Sequence, residues 1–356
     1  MSEKILVSGN VAVAMGAIAA GCKYYFGYPI TPQSEIPEFM SRELPEAGGV
    51  FLQAESEIAS INMLLGASAC GERAMTSSSS PGISLKQEGI SYMAGSELPG
   101  LIVNICRSGP GLGGIDASQA DYFQSVKTGG HGGYRTIVVA PDSVQEMYDL
   151  AMLAFDLSDL YRTPALLLAD SVIGQMKEAL DPKPRPDTKL PAKDWATTGK
   201  KGRSDQRIVK SLYLGEGELE AHNWKLYNRY QELCAKEQRQ EEKYLEDAEL
   251  IVTAYGSTAR IAKTAVRMAR EAGLKVGLIR PITLYPFPEN SFRAATERCK
   301  HVLCIELSTG QMVEDVRLNV CEGTRVDFYG RPPGTGSLPT PEELFEQIRK
   351  QMGGAA

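Results

Sequence analysis

Histidine is scarce in these 356 residues, and the seven cysteines never fall at metal-binding spacing. His131, His222 and His301 lie far apart, and no two cysteines form a C-x-x-C pair. Zinc sites and iron–sulfur clusters need imidazoles or thiolates at short, repeated spacings, so no metal site is expected within the chain. The scattered thiols are expected to be buried in a reducing compartment. No run of about 18 apolar residues occurs, which argues against a membrane-spanning helix. The N-terminal apolar patch is broken by Gly and Asn and lacks a basic start, so no signal peptide is read and a cytoplasmic location is expected. A basic excess is also missing: Lys plus Arg is 38 against 44 for Asp plus Glu, a net charge of -6. Nucleic-acid binders carry a basic balance or face, so neither nucleic acid nor membrane is expected as a partner. The absence of G-K-[ST] excludes a P-loop.

What remains is ordinary globular composition, 43% hydrophobic and 23% charged, with length for two domains at about 150 residues each. Short apolar runs at 23–28, 50–53, 73–77, 101–106, 136–139 and 165–169 read as strands. They alternate with helical patterns at 9–20, 32–44, 56–69, 84–95, 118–128 and 143–157. This alternation predicts an α/β fold with a mostly parallel sheet covered on both faces. Residues 1–180 form the expected first domain. Four prolines between 182 and 191 open an extended connector. A polar helix is expected over 216–247, with KEQRQEEKYLED as its solvated face. Alternation resumes at LIVTAYG, giving a smaller α/β domain over 248–356.

Three segments carry chemistry. In YPITP, Tyr28 ends a strand, Thr31 is a candidate N-cap and Pro32 suits the first helical position. A helix would then start at the sheet edge where open α/β folds bind ligands, although good capping alone explains the pattern. In QAESE, Glu55 and Glu57 precede a helix whose apolar face is Ile58, Ile61, Leu64 and Leu65. A carboxylate there is favoured by the helix dipole; alternatively it is held in a crevice, able to share a proton with a ligand. Arg107 follows the strand LIVNIC, where a guanidinium could clamp a carboxylate or pair with a nearby acid. Gly109, Gly111 and Gly114 match G-x-G-x-x-G, but no strand with a terminal acid follows about 20 residues on, so a dinucleotide loop is disfavoured.

Together YPITP, QAESE and NICRSGPG, with TAYGSTARI, GLIRPITLYPFP and IELSTGQMVEDVR in the second half, resemble the alpha subunit of 2-oxoacid:ferredoxin oxidoreductases. The connector DWATTGKKGR is most similar to the branched-chain, 3-methyl-2-oxobutanoate type; relatives acting on 2-oxoglutarate or pyruvate share the core motifs. The resemblance implies a pyrimidine-binding domain followed by a transketolase C-terminal-like domain. It implies thiamine diphosphate shared with a beta subunit that carries the diphosphate and Mg2+. Iron–sulfur clusters would sit on partner subunits only, coenzyme A would be co-substrate, and the partners would be beta, gamma and ferredoxin-like delta subunits and ferredoxin. This sequence lacks the family's G-D-G metal loop, consistent with that division. By motif match Glu57 is the catalytic acid at the pyrimidine, Tyr28, Pro29 and Thr31 also contact the cofactor, and Thr31 and Arg107 bind substrate. No residue is assigned to metal. Glu306, Gly310 and Gln311 are given no catalytic role. A non-catalytic assembly subunit is the competing reading.

Overall fold

A computed structural model describes residues 4–332, 334 and 338–353. The first part of the chain runs β1 (Ile5–Ser8), α1 (Gly9–Ala19), β2 (Tyr24–Gly27), α2 (Glu35–Glu46), β3 (Val50–Gln53), α3 (Glu57–Ala69), β4 (Ala74–Ser78), α4 (Ser80–Gly95), β5 (Gly100–Cys106), α5 (Tyr122–Val126), β6 (Ile137–Val139), α6 (Val144–Tyr161), β7 (Pro164–Asp170), α7 (Ser171–Gln175) and β8 (Lys177–Leu180). An extended connector leads to α8 (Glu218–Lys236). Then come β9 (Gln240–Lys243), β10 (Leu250–Thr253), α9 (Gly256–Glu271), β11 (Val276–Pro281), β12 (Thr283–Tyr285), α10 (Glu289–Arg298), β13 (His301–Glu306), α11 (Met312–Asn319), β14 (Arg325–Gly330) and α12 (Pro341–Gln351).

The main sheet has the order β12-β6-β7-β5-β4-β2-β3, parallel except for β12. β5 and β7 are buried along their whole length, which is why both read as nearly all-apolar runs, with Asn104 and the terminal Asp170 as the exceptions. Side chains alternate between faces. Leu101, Val103 and Ile105 pack under α1 and α6, whereas Ile102 and Cys106 join Ile61, Leu64, Ile83 and Ile90 of α3 and α4 on the other face. The second sheet has the order β14-β13-β10-β11-β9, with only β9 antiparallel.

Three features differ from the sequence reading. β12 leaves the second half of the chain to extend the first sheet, antiparallel to β6; three residues are too few to show a period. The polar helix stops at Lys236, and the following charges form the edge strand β9. There Glu241 pairs with Arg280, Lys263 and Lys243. Burial opposes ionisation of Glu241, yet these cations hold its carboxyl down at about 2. Finally, the helix after YPITP begins at Glu35 with Ser34 at its cap position, so Thr31 is not an N-cap. Residues 30–33 are used instead in a turn closed by Gln33 N–H to Ile30 O at 3.2 Å.

Polar side chains fasten the two halves together. Gln119 donates to Tyr255 O at 2.7 Å and accepts from Leu307 N–H at 2.9 Å. Gln311 donates to Ala120 O and accepts from Phe123 N–H, each at 2.8 Å. Glu306, fully buried, accepts the N–H groups of Gln311, Met312 and Val313 at the start of α11. That arrangement neutralises the helix end and leaves Glu306 a structural part.

Candidate active site

Between β2 and β4 the connectivity reverses: the chain passes outward from β2 to β3, then returns across β2 to β4. The crevice beyond the strand ends at such a switch point is where open α/β sheets hold ligands. The YPITP turn, the start of α3, the start of α4 and Arg107 all follow the C-terminal ends of β2 to β5.

The turn is held from beneath. Gln33, fully buried, donates to Tyr28 O at 3.4 Å and accepts from Ser77 Oγ, which also bonds Tyr25 Oη at 2.6 Å. Asn10, at the start of α1, donates to Pro32 O at 2.9 Å and to Glu35 Oε2 at 2.7 Å. Tyr28, Pro29 and Thr31 are themselves exposed at the crevice. A buried polar scaffold therefore presents three solvent-facing residues, and neither Gln33 nor Asn10 was singled out from sequence.

Ser56 caps α3 by accepting the Ala59 N–H at 3.1 Å, which places Glu57 in the first turn. Glu57 is 7% exposed, whereas Glu55 lies in the open. Among the described residues no hydrogen bond reaches the Glu57 carboxylate, which is costly for a buried charge unless a ligand supplies the donor. Against it stands α4, which begins at Ser80, four residues earlier than its apolar spacing suggested. Ser78 and Ser79, both fully buried at the strand–helix junction, have hydroxyls without partners among the described residues. A run of four serines directly before Pro81 and Gly82 was the available signal for this second helix start.

Gly82 makes the close approach possible. A Cβ there would lie 2.0 Å from Ser78 Oγ and 2.9 Å from Glu57 Oε1. Gly82→Ala should therefore displace the Glu57 carboxylate and lower at least tenfold any activity that depends on it. Thermal stability should change little, because alanine favours helix over glycine by about 1 kcal/mol. Activity and melting of the variant check both parts; wild-type activity would show that the carboxylate has room to spare.

Arg107 closes the crevice on the other side. Its main-chain N–H bonds Ser80 Oγ at 3.0 Å, tying it to the start of α4. The residue is 8% exposed, and its guanidinium donates from Nη1 to Thr31 O at 3.0 Å and from Nη2 to Leu112 O at 3.3 Å. Both acceptors are neutral carbonyls. Nε is buried without a partner, and among the described residues no carboxylate pairs with this cation. The structure thus brings Thr31 and Arg107 into contact through the turn backbone, with Glu57 across the α4 start. The glycine loop folds back to cradle this arginine: Gly114 N–H bonds Ser108 O at 3.0 Å, and Gly113, at φ +60°, would drive a Cβ into Ser108 O. It opens no helix, since α5 begins only at Tyr122, and it lacks the geometry of a dinucleotide loop. Among the described residues no three His, Cys, Asp or Glu side chains converge as a metal site.

Comparison with known proteins gives the same picture. The profile of the pyruvate flavodoxin/ferredoxin oxidoreductase thiamine diphosphate-binding domain matches residues 15–244, and that of pyruvate:ferredoxin oxidoreductase core domain II matches 248–344. Ketoisovalerate oxidoreductase subunit VorB of Methanothermobacter marburgensis is 52% identical over 98% of both chains. 2-Oxoglutarate synthase subunit KorA of Methanothermobacter thermautotrophicus is 37% identical over 98% of this chain and 99% of its own. Among solved structures, 2-oxoglutarate:ferredoxin oxidoreductase from Magnetococcus marinus, with 2-oxoglutarate, coenzyme A and succinyl-CoA bound, superimposes with a TM-score of 0.89 at 27% identity. That match covers 99% of this chain and 66% of the Magnetococcus chain. The crevice with its unpartnered carboxylate and cation, the two matched domains and these relatives lead to one conclusion: the chain belongs to the family of 2-oxoacid:ferredoxin oxidoreductase subunits.

Proposed function

We propose that this chain is the alpha subunit of a cytoplasmic enzyme that oxidatively decarboxylates a branched-chain 2-oxo acid to its acyl-CoA and passes the electrons to ferredoxin. Thiamine diphosphate would lie between this subunit and a beta subunit carrying its diphosphate and Mg2+. Gamma and ferredoxin-like delta subunits would complete the complex and hold iron–sulfur clusters. The observation that carries the reading is a buried carboxylate, Glu57, in one crevice with a buried cation, Arg107, the first with no donor and the second with no anion among the described residues. A non-catalytic assembly subunit would leave both groups desolvated to no purpose.

The residues fit the cofactor. Glu57 would accept a hydrogen bond from the aminopyrimidine ring and hold the shared proton there. Its buried position strengthens that bond. Tyr28, Pro29 and Thr31 would line the face of the ring. Arg107 would bind the substrate carboxylate with the Thr31 hydroxyl beside it, and the small loop 108–114 would keep water from the guanidinium. When bound, thiamine diphosphate supplies the electron sink that decarboxylation of a 2-oxo acid requires. The greater identity to the ketoisovalerate subunit than to the 2-oxoglutarate one supports a branched-chain substrate. No helix among the described residues is long and apolar enough to cross a membrane.

The test is the co-expressed complex assayed with coenzyme A, ferredoxin and a panel of 2-oxo acids. We expect the highest kcat/KM for 3-methyl-2-oxobutanoate; a preference for 2-oxoglutarate or pyruvate would reassign the substrate. The purified single chain should bind thiamine diphosphate more weakly than micromolar, because the diphosphate–Mg2+ contacts are expected on the beta subunit. Submicromolar binding by calorimetry would refute that division of labour.

A further inference from the structure

Lys86 lies on the inner face of α4, one turn beyond Gly82, and has no exposed surface. It occupies a position in the helical repeat of Ile83, Ile90 and Met93, where an apolar residue is the ordinary choice. Its ammonium donates to Thr76 Oγ1 at 3.1 Å, to the main-chain oxygen of Glu57 at 3.3 Å and to the Ser60 hydroxyl. All three acceptors are neutral, and among the described residues no carboxylate lies within ion-pair distance of it. From the surrounding elements α3, α4 and β4, the charge that acts on it is that of Glu57.

A cation at this place is costly to the fold. It is desolvated, and it sits beneath the first turn of α3, the positive end of that helix. Burial draws its pKa from 10.5 to about 7, with the Glu57 charge acting in the opposite direction. A lysine depressed in the folded state costs stability, fully below about 7 and progressively less as pH rises toward 10.5. A methionine would fill the same space without that cost.

We propose that Lys86 is a positioning residue whose buried positive charge keeps the Glu57 carboxyl group ionised, so that the proton they share rests on the cofactor's aminopyrimidine ring. The inference rests on the reading of Glu57 given above. Two unlike charges interact strongly where water is excluded. The first turn of α3, bonded to Lys86 through the Glu57 carbonyl and Ser60, fixes the geometry between them. Among the described residues Glu57 is the group whose negative charge acts on Lys86, so the coupling has one recipient there.

The experiment compares wild type with Lys86→Met, Lys86→Gln and Lys86→Arg in the whole complex. In cofactor-free complexes, infrared difference spectra against Glu57→Gln isolate the Glu57 carboxyl bands. Below neutral pH, where Lys86 carries its charge, the wild type should show the ionised form, whereas Lys86→Met and Lys86→Gln should show a clear protonated share. In the loaded complexes, exchange of the thiazolium proton for deuterium should slow about tenfold, the equivalent of one pKa unit. KM for the 2-oxo acid should hold, and Lys86→Arg should recover part of the rate. Lys86→Met should melt no earlier than wild type below neutral pH. An unchanged exchange rate with Glu57 fully ionised would overturn the proposal, as would a variant that melts earlier with exchange intact, the mark of a structural lysine. If Glu57→Gln alone leaves proton exchange at the wild-type rate, it is the reading of Glu57 that fails.

Discussion

Glu57→Gln should lower turnover of the assembled complex by about 10²–10⁴-fold, the usual range for loss of an acid–base group, while subunit assembly and melting temperature stay near wild type. Glutamine has nearly the same shape, and the wild-type carboxylate receives no hydrogen bond that the amide would forfeit among the described residues. The Ser56 cap that fixes the turn involves only the serine hydroxyl and Ala59 N–H, so α3 should be undisturbed. What the amide could not do, in the proposed role, is carry the negative charge that would hold a proton on the pyrimidine ring. Removing the buried carboxylate relieves a desolvation cost but also takes away the charge that steadies the buried Lys86 ammonium, so the two effects oppose each other and the melting temperature should stay near that of wild type. Glu55→Gln is the control. That residue is exposed, outside the helix, and should lose little. Retention of more than about a tenth of wild-type kcat by Glu57→Gln would assign the acid elsewhere.

The choice between Glu55 and Glu57 shows how far sequence could reach. Spacing alone left both acids open, because a strand would place them on one face and a helix would separate them. The structure resolves this locally: β3 ends at Gln53 and α3 begins at Glu57, so only Glu57 is turned under α4. Buried strands such as β5 and β7 were legible because a sheet covered on both faces favours nearly continuous apolar runs. β1, β8 and β12 were not, since three or four residues at an edge or on a neighbouring domain's sheet carry no period. Thr31 was read as a cap because Thr-Pro before a helical pattern is the usual start. The competing interaction was tertiary: buried Gln33 and Asn10 capture the turn backbone and delay α2 to Glu35. The serine run at 77–80 and Lys86 were visible as letters. Their meaning depends on α3 crossing over β2 to face them, which no local pattern encodes.

Arg107→Ala should reduce kcat/KM for the 2-oxo acid by at least about thirtyfold, since losing a buried charge-assisted pair typically costs about 2–5 kcal/mol. The geometry sharpens this expectation. A guanidinium has five donors, and two are engaged by the Thr31 and Leu112 carbonyls. Those bonds aim the group without neutralising it, and the partnerless Nε marks the side still needing an acceptor. A substrate carboxylate entering there meets a cation already desolvated and oriented, so little is lost to reorganisation on binding. Lysine supplies the charge but neither the planar fork nor simultaneous reach to Thr31 and Leu112, and should rescue only partly. Alanine would also release the Thr31 carbonyl, but Gln33 and Asn10 hold the same turn independently. Thiamine diphosphate affinity should therefore change little while the 2-oxo acid term collapses. Steady-state kinetics of Arg107→Ala and Arg107→Lys complexes, varying the 2-oxo acid and thiamine diphosphate separately, distinguish the cases. Unaltered kcat/KM for the acid, or a loss confined to cofactor affinity, would mean that this arginine serves the turn and loop rather than the substrate.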